Sequence, residues 1–381
     1  MSPKVFLALL ALTVVAAGAA LLTALAQPGA APVRYVDEPA FPALRANPDA
    51  VAKVALTTPE GSFTLVRETG DRWSALERYG YAVDEDQVRA LVVALADMRL
   101  IEAKTSLPER YGRLEVEDVG AADAKSRLLR LESADGEVLA EAIFGKQQHR
   151  LTGHQAAGTY LRRPGEAQSW LASGAVAIDP TVVDWLDARI VDLAPAQIAR
   201  IEIRPDSGAE YVVRRGAPDE PLQFADLEEG ETLKPDAGLD RLAAAFADLR
   251  FEDVKPRSEL AWPEAHHSAT AAGFDGVELT VQLARIDDEP WAIIDARQVA
   301  AARPAPANTA AEEPANEAEG SEAVEIEDPA AAEEEGAAEP LPLTADEINQ
   351  RVQSWAYKVP GLVFDRLTKP RSEWLEDAGT S

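Results

Sequence analysis

From residue 51 the chain alternates apolar and polar positions, then switches to a helical period, then alternates again. Val51–Leu56 and Ser62–Arg67 alternate on either side of Pro59-Glu60-Gly61, which predicts a hairpin. Trp73 follows Gly70-Asp71 and marks a third short strand. Asp84 then stands where a helix cap belongs. Val88, Leu91, Val92, Leu95 and Met98 recur at spacings of three and four, giving one apolar stripe on a helix. Arg127–Leu131, Val138–Phe144 and Thr159–Arg162 are further strands, with Gly136 and Gly145 at the turns, and Val182–Ile190 is a closing helix.

The same order then recurs. Ile198–Ile203 and Glu210–Arg214 form a hairpin around Ser207-Gly208. Asp236–Leu249 is a helix with Leu239, Leu242, Phe246 and Leu249 on one face. Gly276–Leu283, Trp291–Asp295 and Ser354–Val359 are strands, the last matching Gly158–Arg162. V-A-K-V-A-L at Val51–Leu56 and I-A-R-I-E-I at Ile198–Ile203 are offset by 147 residues. A-L-A-D-M-R-L at Ala94–Leu100 and A-F-A-D-L-R-F at Ala245–Phe251 are offset by 151. Two segments with nearly one offset predict two copies of one domain, 51–192 and 193–377. The fold class expected is α+β, each copy an antiparallel sheet with a helix on one face.

Three segments fall outside this pattern. Val5–Ala26 is 22 residues without a charge, long enough as a helix to span about 30 Å of hydrocarbon. Residues 1–27 are therefore expected to be a transmembrane anchor. Lys4 favours a cytoplasmic N-terminus, which puts the bulk of the chain outside the cytoplasm. Ala24-Leu25-Ala26 also fits the cleavage site of a signal peptide, although that class usually has a shorter apolar core. Residues 28–50 hold five prolines, which predicts an extended tether. Residues 303–343 consist largely of Ala, Glu and Pro and carry no basic residue after Arg303. Such a stretch buries too little apolar surface to offset its ordering entropy, and is expected to be disordered. It stands where the first copy has only the loop Lys146–Gly158.

Charge and chemistry narrow the function classes. The formal net charge is −29, which opposes nucleic acid and broad docking on anionic lipid. There is no cysteine, which excludes disulfides, thiolate nucleophiles and cysteine metal sites. His149 and His154 lie five apart in a loop, and His266 and His267 are adjacent. Neither spacing is that of a zinc helix. No G-x-S-x-G elbow or phosphate loop occurs. Carboxylate pairs are common, but among 66 acidic residues they indicate a solvated face. No catalytic, cofactor-binding or metal-ligating set follows. Trp73, Trp170, Trp185, Trp291 and Trp355 are expected in cores. Trp262, beside His266 and His267 in a Pro-flanked loop, and Trp374, near an exposed C-terminus, are candidate partner-binding anchors.

One further pattern runs through the first copy. It comprises Trp73, Tyr81-Ala82-Val83-Asp84 leading into the helix Val88–Leu100, Tyr111-Gly112 with Leu114, Ile143-Phe144-Gly145, Tyr160 and Trp185-Leu186-Asp187-Ala188-Arg189. In this the chain resembles bacterial membrane-anchored proteins with a duplicated domain of unknown function, often encoded beside gliding-motility-type ABC transporter subunits. The resemblance covers most of residues 51–300. It departs at Arg113, inserted where the family runs Y-G-L, and at the acidic insertion. It brings no catalytic residue. It implies an envelope protein assisting a transporter. The leading expectation is thus a non-enzymatic, membrane-anchored periplasmic accessory or scaffold protein with envelope or transporter partners. The alternatives are a module binding an extended glycan or peptide between the repeats and, third, an envelope hydrolase.

Overall fold

The computed structural model describes residues 35–148, 157–188, 190–191, 193–235, 237–247, 249–301 and 344–376. The apolar run Val5–Ala26, His149, His154 and the segment 303–343 lie outside the described residues. Among the described residues no helix is long and apolar enough to cross a membrane. The chain is mixed α+β, with two antiparallel sheets and few helices, and divides into two compact units between Asp187 and Ala188.

The first unit starts inside the expected tether. β1 (Tyr35–Pro39) pairs with the strand Arg99–Ala103, a short helix α1 spans Pro42–Ala46, and a 3-10 turn spans Pro48–Ala50. Phe41 and Leu44 are buried, and the Phe41 ring lies 6.3 Å from that of Phe144. The tether expectation is corrected for these residues. Each proline sits where proline is tolerated: Pro39 on an edge strand, Pro42 and Pro48 at the start of helical turns.

β2 (Val51–Thr58), β3 (Gly61–Arg67), β4 (Trp73–Ala75) and β5 (Tyr81–Ala82) follow as a meander. Helix α2 (Glu85–Ala96) is capped by Asp84, whose Oδ1 accepts from the Asp86 and Gln87 amides at 3.0 and 3.2 Å. Its stripe Val88, Leu91, Val92 and Leu95 is buried, each such side chain contributing about 1.5–3 kcal/mol. Met98 is buried too, but lies past the helix end. Arg99 and Leu100, expected to be helical, belong to β6 (Arg99–Ala103). β7 (Arg127–Ser133), β8 (Val138–Gln148), β9 (Gly158–Arg162) and β10 (Ser169–Ser173) complete a sheet ordered β1-β6-β10-β9-β8-β7-β2-β3-β4-β5.

The closing helix Val182–Ile190 is also corrected: among its described residues only Val182–Trp185 turns, as a 3-10 segment. Leu186 then bridges to Val83, and Asp187 N donates to Ala82 O, so pairing with the sheet margin takes the chain out of helical geometry.

In the second unit, β11 (Ile198–Arg204), β12 (Tyr211–Arg214) and β13 (Gln223–Phe224) precede helix α3 (Asp240–Ala247). This helix starts later than Asp236 because Gly238 holds a φ of +55°, incompatible with a continuing right-handed helix. β14 (Asp253–Pro256), β15 (His267–Gly273), β16 (Val277–Ile286), β17 (Glu289–Gln298), α4 (Ala345–Val352), β18 (Trp355–Lys358) and α5 (Gly361–Leu367) follow. The sheet runs β13-β12-β11-β15-β16-β17-β18-β14.

Read from β4, the first sheet runs β4-β3-β2-β7-β8-β9-β10-β6, so strand for strand the two orders agree. Helix α2 precedes β6 and helix α3 precedes β14, the last strand of each matched series. The matching of the last strands is corrected by this order. Trp355–Lys358 stands at the position of β10, and the counterpart of Gly158–Arg162 is β17. Residues 303–343 therefore occupy the connection that in the first unit is Arg163–Gln168, not Lys146–Gly158. The strands they join are neighbours, Trp291 facing Lys358 and Ala292 facing Tyr357.

Candidate functional site

The C-terminal stretch of the second unit builds a cleft from local rules. Pro360 ends the extended run after β18 and α5 begins, burying Phe364 and Leu367. Thr368 Oγ1 donates to Phe364 O at 2.9 Å and closes the helix. Arg371–Glu373 makes one 3-10 turn, and Trp374 turns inward. Trp374 is only 3% exposed, and its Nε1 donates to Tyr211 Oη at 3.0 Å. Tyr211 Oη in turn donates to Lys369 O at 2.8 Å, and burial pushes the Tyr211 phenol up to about 12. Leu375 bridges to Leu233, Lys234 N donates to Trp374 O at 3.0 Å, and Glu376 N donates to Thr232 O at 2.8 Å.

This zipper brings Lys234, Ala237 and Arg241 to α5 and the residues that follow it. Between them lies a cleft of about 440 Å³, lined by Lys234, Arg241, Arg366 and Lys369 with Asp365 and Glu373, Trp374 also reaching it. Lys369 Nζ sits 4.0 Å from the centre of the Trp374 ring. Lys234 Nζ donates to the Glu373 carbonyl at 3.1 Å. Arg241 projects from α3 over Gly238, where a Cβ would come within 3.1 Å of its Nε.

The residues singled out from sequence are dispersed. Trp374 is a core side chain rather than an exposed anchor, its indole bonded to the Tyr211 hydroxyl and its backbone to Lys234; that expectation is corrected. Trp262 and His266 are half-buried and stand together, ring centres 6.4 Å apart and edge to face. His266 Nδ1 lies 2.9 Å from Glu264 O. His267 turns instead to α5, its ring edge-on to Phe364 at 5.9 Å. The Asp206 amide donates to His267 Nδ1 at 3.2 Å. Burial pulls the His267 pKa below its usual value, Asp206 pulling it up and His266 down. Among the described residues no cluster of three His, Asp or Glu side chains is placed to hold a metal ion. The cleft escaped sequence inspection because its cations are spread over more than a hundred residues. The one local signal was the basic spacing Arg366, Lys369, Arg371 in an acidic chain.

The motif residues of the first unit serve the fold. Trp73, Tyr81, Tyr111, Phe144 and Trp185 are buried, and Trp185 Nε1 donates to Asp179 O at 2.9 Å. Asp84 caps α2, and its amide donates to Trp185 O. Gly145 passes so close to Leu114 that a Cβ would lie 2.1 Å from the Leu114 carbonyl oxygen.

Fold and site thus define a mixed α+β protein whose two units share one strand order, with a cationic cleft in the second. The chain belongs to the family described as Domain of unknown function (DUF4340), whose model matches residues 73–266. No curated protein and no solved structure matches the chain.

Proposed function

We propose that this chain is a non-enzymatic accessory or scaffold protein of a bacterial envelope complex, anchored by Val5–Ala26 with its bulk in the periplasm, and that an ABC transporter is the complex it assists. We further propose that the two units descend from one duplicated domain. The observation that carries the reading is the repeated strand order, together with motif residues that cap, pack and turn the chain. A domain kept for its shape and used twice presents surface, which is what a scaffold needs. The apolar length of Val5–Ala26 supports the anchor.

Crosslinking in native membranes tests the partner. Capture of transporter subunits is the expected result, and capture of a soluble enzyme's substrate-processing partners alone would overturn it. A reporter active only outside the cytoplasm, fused after Ser381, is expected to work. Recovery of a soluble species beginning at Gln27 would replace the anchor with a signal peptide.

A further inference from the structure

The cleft in the second unit concentrates positive charge that the described residues around it leave only partly neutralised. Several arginines elsewhere in this unit meet carboxylates: Arg371 reaches Asp226 and Glu231, Arg215 reaches Asp240, and Arg285 reaches Asp365. Arg241 and Arg366 have no hydrogen-bond or ion-pair partner for their guanidinium groups among the described residues. The two lysines are held, but by neutral partners: Lys369 by the Trp374 ring and Lys234 by the Glu373 carbonyl. A π-face and a carbonyl position an ammonium without cancelling its charge. Gathering four cations costs repulsion, yet Gly238, with a φ of +55° and no Cβ, leaves the space over which Arg241 lies.

We propose that this cleft binds the phosphate group of a small soluble phosphate ester. Because Asp365 is shared with Arg285, the four cations against Asp365 and Glu373 keep a surplus of at least two positive charges, enough to match a phosphomonoester dianion. Guanidinium forks pair with phosphate oxygens bidentately, and the lysines add point charges. The volume of about 440 Å³ exceeds a bare phosphate and leaves room for an organic substituent. A lipid headgroup carries the same phosphate chemistry, and the second arm of the test separates the two sources. This assignment stands independently of the scaffold role.

Calorimetric titration of the purified full-length chain with glycerol 3-phosphate tests it. Saturable binding is expected, weakening as sodium chloride is raised. Arg241→Ala combined with Arg366→Ala should weaken it at least tenfold without lowering the melting temperature, since Arg241 is exposed and Arg366 half-buried. Arg72→Ala, an exposed change in the first unit, should leave it unchanged. Vesicles containing phosphatidic acid form the second arm. Binding to these alone, lost in the double variant, would overturn the soluble source and assign the phosphate site to a lipid. No saturable binding in either arm, or binding that survives the double variant, would overturn the site itself.

Discussion

Replacing Trp374 separates two descriptions of the C-terminal segment. An exposed anchor near a chain end contributes little to folding, and truncating it shifts stability by less than about 0.5 kcal/mol. The structure instead gives Trp374 3% exposure, a hydrogen bond to the buried Tyr211 hydroxyl at 3.0 Å, and a backbone pairing with Lys234. Trp374→Ala deletes a buried indole, which costs about 3–5 kcal/mol. The Tyr211 hydroxyl loses its donor but keeps its own bond to Lys369 O, so the polar part of the loss is the smaller one. In a unit of this size each kcal/mol lowers the melting temperature by about 2–4 °C, so a fall of about 6–20 °C is expected. Trp374→Phe keeps an aromatic face under Lys369 and loses the N–H, so about 1 kcal/mol is expected for the hydrogen bond, plus a smaller packing loss. Urea unfolding of the full-length chain, followed by far-ultraviolet circular dichroism, resolves the two variants. The transition of the second unit should move and that of the first should not. If Trp374→Ala falls within about 0.5 kcal/mol of wild type, the burial argument is wrong and the zipper with residues 232–234 does not hold.

Gly145→Ala places a Cβ 2.1 Å from the Leu114 oxygen and 2.8 Å from that of Glu115, both backbone, so the first unit should lose about 3 kcal/mol; a wild-type melting curve would refute the close approach. Asp84→Ala removes the cap of α2 and should cost about 1 kcal/mol in chemical denaturation, while Asp84→Asn should restore nearly all of it, and equal losses in both would show that the cap is not the cause. His267 is held below its ordinary pKa of 6.5, chiefly by burial, so the unfolded chain binds its proton more readily than the folded one. Its contribution is therefore present above about pH 6.5 and lost as the pH falls toward the folded value. Melting temperatures from about pH 8 to about pH 5 should drop more for wild type than for His267→Gln, and parallel curves would assign the pH response elsewhere.

The elements with strong local periods were legible from sequence: the β2–β3 hairpin, the Asp84 cap and buried stripe of α2, and the two near-repeats. Alternation and the three-four stripe arise from backbone geometry itself, so they survive without tertiary information. Where local rules compete, the fold decided. The prolines of 35–50 block neither helix nor edge strand once they occupy first turns and a sheet margin. Val182–Ile190 has helical composition, yet pairing of Leu186 with Val83 outweighs it. The pairing of β17 with β18 shows which strands correspond across the long connection; spacing alone pointed to the wrong one. Trp374 could not be read at all from its neighbours. Its burial depends on Tyr211, 163 positions away, and on a short ladder to Lys234. The cleft has the same character: Lys234 and Arg241 meet Arg366 and Lys369 only because α3 and α5 pack together. Sequence thus determined the period, the caps and the repeat, which are properties of neighbouring residues. Burial and charge clustering are properties of distant ones, and only the folded chain brings those into contact.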